Sequence, residues 1–142
     1  MKDKTITLKI FTTKGQEKFN FLSKQYFTGI NGLLLVYDIT NKSSFDKLDQ
    51  WCKHTSYIIN TEKTPIILLG NKKDLDNRIV PYNEGKRLSI LNNFSFLEIS
   101  ALNNENVEKA FNTLINKCID LHSYQVKEDE EHSGSKKRAR CF

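Results

Sequence analysis

Pro65-Ile66-Ile67-Leu68-Leu69-Gly70-Asn71-Lys72-Lys73-Asp74 is the stretch from which the fold can be read. Pro65 to Leu69 form an apolar run with no polar face, and a glycine separates it from four polar residues. A run this short and unbroken suits a strand buried on both sides, as in a parallel sheet covered by helices. Asn71 to Asp74 then fall just past the strand's carboxyl end, where open α/β sheets bind their ligands.

The flanking sequence fits the same sheet. Leu33-Leu34-Leu35-Val36-Tyr37 is a second apolar run, ending at Asp38, and Phe96-Leu97-Glu98-Ile99 is a third, weaker one, ending at Ser100-Ala101. Thr5 to Phe11 alternate, with Ile6, Leu8 and Ile10 on one side, and predict a further strand. Gly15 closes it, and Gln16 to Phe27 reads as a short irregular helix. Between the runs lie helical patterns. Ser43 or Ser44 caps a helix with Phe45, Leu48, Trp51 and Cys52 on one face. Tyr82 to Leu91 forms a second, and Glu105 to about His122 a third. Strands alternating with helices predict a parallel sheet with crossover helices.

The 142 residues suffice for one domain with its own core. No apolar run approaches the roughly 20 residues that cross a bilayer, and Met1-Lys2-Asp3-Lys4 lacks the apolar stretch of a secretory signal, so a cytoplasmic location is expected. The three cysteines show no metal-ligand spacing, and their odd number argues against a disulfide framework. His54, His122 and His132 are isolated and read as surface residues. Of the net charge of +5, Lys136, Lys137, Arg138 and Arg140 supply +4. The basic signal thus belongs to a tail and implies no nucleic-acid partner. From about Gln125 the periodicity stops, so residues 1–124 are expected to form the domain and 125–142 a disordered tail.

Three polar clusters fall at strand ends: Gly15-Gln16-Glu17, Asn71-Lys72-Lys73-Asp74 and Ser100-Ala101. Asn-Lys-Lys-Asp alone has the composition of a solvated turn; three clusters in this order converge on one sheet edge. An Asp at the foot of a strand can accept two N–H donors from one edge of a heterocycle.

At these residues the chain resembles the Rab branch of the Ras-like GTPases, over roughly residues 4–122. Tyr26-Phe27-Thr28-Gly29-Ile30 and Leu35-Val36-Tyr37-Asp38-Ile39-Thr40 are similar to Rab segments in particular. The resemblance implies an α/β, three-layer P-loop NTPase-like fold with a mostly parallel sheet, incomplete at the N-terminus. It implies that Asp74 takes the two N–H donors of guanine, that Lys72 lies along base and ribose, and that Asn71 braces the loop. Ser100-Ala101-Leu102 resembles the second base-contacting loop, with the Ala101 N–H on the guanine oxygen; Leu102 stands where the family usually has Lys. Gly15 would offer its N–H to the terminal phosphate and Gln16 would orient the attacking water. Phe11 and Tyr26 match positions of the aromatic effector patch. The implied ligand is GTP or GDP with Mg2+, and the implied partners are Rab regulators and effectors in vesicle trafficking.

The sequence departs from the family in three ways. None of its six glycines opens the Gly-x4-Gly-Lys-Ser/Thr phosphate loop, and the first switch is absent, so an N-terminally truncated chain is expected. Thr12 replaces the Asp of the magnesium shell, and a neutral hydroxyl cannot do a carboxylate's work beside a divalent cation; Lys14 near it reads as drift at a disused site, the alternative being a partial substitute for the cation. The strand that lies in the family between Thr5–Phe11 and Leu33–Asp38 is missing. Two charge-assisted hydrogen bonds of ~1.5–3 kcal/mol each barely exceed an association cost of at least ~4 kcal/mol. Nucleotide binding is therefore expected at roughly millimolar strength or weaker, with negligible hydrolysis. A non-catalytic Rab-like interaction module and an incomplete gene product are the alternatives. The ending Lys136 to Phe142 resembles a lipidated Rab tail, with Cys141 the only cysteine in it; prenylation there would make the protein membrane-associated.

Overall fold

The computed structural model describes residues 6–12, 27 and 29–136. Strands β1 (Leu33–Asp38), β2 (Ile66–Asn71) and β3 (Ser95–Glu98) form one sheet in the order β1-β2-β3. Both pairings are parallel, with Leu35 opposite Leu68 and Leu68 opposite Phe96. Helices α1 (Lys42–Asp46) and α2 (Leu48–Ile58) carry the chain from β1 to β2, and α3 (Tyr82–Leu91) from β2 to β3. Helix α4 (Val107–Lys136) follows β3.

The central strand β2 explains the layering. Its residues alternate between two cores: Ile66 and Leu68 join Leu35, Tyr37, Leu48, Cys52 and Val80 on one side. Ile67 and Leu69 join Ile99 and Ala110, with Val107 and Leu114 of α4 packed against them, on the other. Helices on both faces make the continuous apolar run necessary, because neither set of side chains can face water. The edge strand β1 is less well covered: Val36 is 54% exposed.

Several expectations need correcting. The strand expected at Thr5–Phe11 does not form; residues 6–12 have no regular structure, and Leu8 is 50% and Phe11 69% exposed. An alternating segment holds as a strand only against a ladder partner, and among the described residues none stands between it and β1. The single capped helix is two. Asn41, not Ser43 or Ser44, is the N-cap: its Oδ1 accepts from the Ser44 N–H at 3.2 Å. The Ser44 hydroxyl instead accepts from the Asp38 N–H and donates to the Asn41 carbonyl, fastening α1 to the end of β1. His54 is half-buried rather than free on the surface; its ring meets Phe27 and Trp51 edge-on, with Nε2 buried. Helix α4 continues past the helix end expected at about His122. Residues 117–133 contain no Gly or Pro and are rich in Glu and Lys, which favour helix. Most of the expected helix over 16–27, and residues 137–142 with Cys141, lie outside the described residues. Among the described residues, no helix is long and apolar enough to cross a membrane.

Candidate functional site

The loops leaving β2 and β3 meet at the carboxyl edge of the sheet. Parallel register sets this up, since Gly70 pairs with Glu98 and both strands end at the same level. The Ile99 N–H then donates to the Gly70 carbonyl at 2.8 Å and the Lys73 N–H to the Ile99 carbonyl at 3.0 Å. To turn the first loop this tightly, Lys72 adopts φ 70, a left-handed conformation that non-glycine residues rarely take.

Side chains complete the junction. Asn71 Oδ1 accepts from the Ala101 N–H at 3.0 Å, and the buried Ser100 hydroxyl donates to Asp74 Oδ1. Ser100 Oγ also accepts from the Asn103 N–H at 3.0 Å, which closes the second loop on itself. Ser100 and Glu105 pair as an antiparallel bridge across that loop. The structure thus brings Asn71, Asp74, Ser100 and Ala101 into one cluster. Leu102 projects from it, 83% exposed.

Three ion pairs support the cluster, and sequence reasoning missed most of their members. Lys72 Nζ lies 2.7 Å from Asp38 Oδ2, at the end of β1. Asp38 Oδ1 accepts both the N–H and the hydroxyl of Thr40, at 2.8 and 2.7 Å. Burial pushes the Asp38 carboxyl up, but Lys72 and Thr40 outweigh it and hold the pKa below the ordinary value. Lys73 pairs with Glu105. Arg78 grips Glu98 with two bonds, at 2.6 and 2.8 Å, and donates to the Val80 carbonyl at 3.1 Å. The strand-end position of Asp38 was a usable signal; the pairing of residues 78 and 98 had none.

Gly15, Gln16 and Tyr26 lie outside the described residues, and Phe11 is exposed away from this cluster's hydrogen bonds, with Lys9 over its ring. Asp74 presents a carboxylate, its Oδ2 without a partner among the described residues, on the loop beside the Ala101 N–H that Asn71 holds. The described residues do not fit a magnesium ion. Thr12 is neutral and exposed, and among the described residues no group of three or more His, Cys, Asp or Glu gathers.

Comparison with known proteins agrees with this architecture. The family described as "Ras family" matches residues 1–120. Ras-related protein RABA6a of Arabidopsis thaliana is 37% identical over 134 residues, 94% of this chain and 57% of the relative. Ras-related protein Rab-4A of Danio rerio is 40% identical over 135 residues, 94% and 62%. Ras-related protein Rab-4B of Homo sapiens is 42% identical over 119 residues, 80% and 55%. The chain therefore spans 57% of the length of RABA6a and 62% of that of Rab-4A. With the family matched over most of the chain and the α/β architecture of its parallel sheet in place, the chain belongs to the Ras family and is of the Rab type.

Proposed function

We propose that this chain carries the guanine-recognition part of a Rab-type GTP/GDP-binding protein of vesicle trafficking, and that alone it binds nucleotide weakly. The supporting observation is the junction of Asn71 with Ala101 and of Asp74 with Ser100. It fixes a carboxylate and a backbone N–H on neighbouring loops before any ligand arrives. In this reading Asp74 accepts the two N–H groups of guanine, and Ser100 holds it in place. The Ala101 N–H is shared between Asn71 and the guanine oxygen. Lys72, tied to Asp38, presents its stem to the base, and Leu102 offers a smaller apolar face on the other side. The partners are the regulators and effectors of Rab proteins. The tail of Lys136 to Cys141 reaches a membrane surface if Cys141 carries an isoprenoid, which mass spectrometry of protein from cells would detect.

The test is an amide NMR titration of the chain with GDP and with ADP. GDP is expected to shift the resonances of residues 71–75 and 100–103 with a dissociation constant of roughly millimolar, and ADP to leave them in place. Losing two hydrogen bonds to a charged acceptor, each ~1.5–3 kcal/mol, makes Asp74→Ala at least about a hundredfold weaker. Equal shifts from ADP would sink the base assignment, and micromolar GDP binding would sink the claim of weakness.

A further inference from the structure

The charges around this site favour one part of a nucleotide over another. All three basic residues of the loop over 71–80 end on carboxylates of this chain: Lys72 on Asp38, Lys73 on Glu105 and Arg78 on Glu98. The loop over 100–106 contains no basic residue. Asp74 and Asp76 add two further carboxylates, so these loops and the strand ends beside them hold three cations against five anions. The carboxylate that holds Lys72 is itself anchored. Asp38 is fixed by both Thr40 donors, at 2.8 and 2.7 Å, while it holds Lys72. A phosphate approaching Lys72 or Lys73 has to displace a carboxylate already in place. It exchanges one anion for another and gains little, while the local excess of negative charge opposes it.

Resting on the guanine reading above, we propose that this chain recognises the guanine nucleoside and is indifferent to its phosphates. Base and ribose carry the affinity, and each added phosphate contributes nothing. This differs from weak binding in general, because it fixes the order of affinities within one ligand series.

The test compares guanosine, GMP, GDP and GTP, without divalent cation, by amide NMR titration of the 142-residue chain at low and high salt. The four dissociation constants are expected to agree within about threefold, or to weaken slightly with phosphate number, and to change little with salt. Asp38→Asn keeps an acceptor for Thr40 but frees the Lys72 charge. It is expected to tighten GTP roughly threefold relative to guanosine at low salt, since unit charges several ångströms apart in water interact by that order, and the gain should vanish at high salt. Glu105→Gln, at an exposed pair, releases Lys73 and gives the same direction should the Asp38 variant fail to fold. A tenfold or greater tightening from guanosine to GTP in the unaltered chain overturns the proposal while leaving base recognition intact. If neither variant alters the GTP-to-guanosine ratio, the charge argument is overturned. ADP matching GDP overturns the base reading itself, and this inference with it.

Discussion

The Tyr37 ring fills the space between Gly70, Gly85 and Phe96, and its buried hydroxyl meets no hydrogen-bond partner among the described residues. Burial pushes the phenol well above its ordinary pKa, so it stays neutral at working pH. An unpaired buried hydroxyl costs about 1–3 kcal/mol; Tyr37→Phe is therefore expected to be neutral or to stabilise by about 1 kcal/mol in urea unfolding. Gly85 is needed because a Cβ there would press into that hydroxyl and lie 2.7 Å from Phe96 Cζ. Gly85→Ala gains about 1 kcal/mol of helix propensity and loses more to overpacking, for a net cost of about 1–2 kcal/mol. Part of that cost should be recovered in the Tyr37→Phe background, and a strictly additive double mutant would refute the contact. Asp38 gives a pH dependence. Its folded-state pKa is depressed, so its stabilisation is fully present above the ordinary value of 3.8 and is lost as pH falls through the lower folded value. Unfolding measured from pH 5 downward should show a steeper loss for the native chain than for Asp38→Asn. Single residues were only partly legible beforehand. Asn71, Asp74, Ser100 and Ala101 stand at strand ends and declare themselves, whereas Tyr37 looks like any residue of an apolar run until its neighbours are known.

The loop between β2 and α3 owes its path to Arg78 and Glu98. The Glu98 side chain is 6% exposed and that of Arg78 33%. Removing the guanidinium strands a carboxylate in the interior, and such losses cost about 3–5 kcal/mol. Because Arg78 is partly solvated, Arg78→Ala is expected near the lower end, about 3 kcal/mol in urea unfolding. Glu98→Gln, which keeps one acceptor for the guanidinium, should cost clearly less, and equal costs would mean that the retained hydrogen bond contributes nothing. Elements with internal support were readable: β2 from its unbroken run, β1 and β3 from their position, α3 from its spacing. Elements that depend on distant partners were not. The alternation at Ile6, Leu8 and Ile10 is sound strand sequence, yet a ladder needs a second strand, and local sequence does not say whether one is present. The hydrogen bonds of Asn41 and Ser44 that fasten α1 to the end of β1 are likewise contacts that spacing alone does not reveal.

Across the whole molecule, the three-stranded sheet has β1 at one edge, with no strand beyond it among the described residues. Val36 adds an apolar side chain there, and exposed apolar edge strands recruit other chains. Val36→Lys is expected to lower light scattering at high protein concentration while changing unfolding free energy by less than about 1 kcal/mol; unchanged scattering would show that association starts elsewhere. The parallel architecture was legible because the order of strand and helix fixes it, and the covering of β1 was not, because that depends on segments outside its own run. At the far end of β1, the fully buried Ile39 turns one carbonyl toward two amides, those of Ile79 at 2.9 Å and Val80 at 2.8 Å. Both amides follow the turn that leaves β2, so its downstream end is moored just past a strand that is itself half uncovered. Deuterium should enter at residues 79 and 80 only when β1 itself lets go, and those two exchange rates would then report the fraying of the sheet's exposed margin.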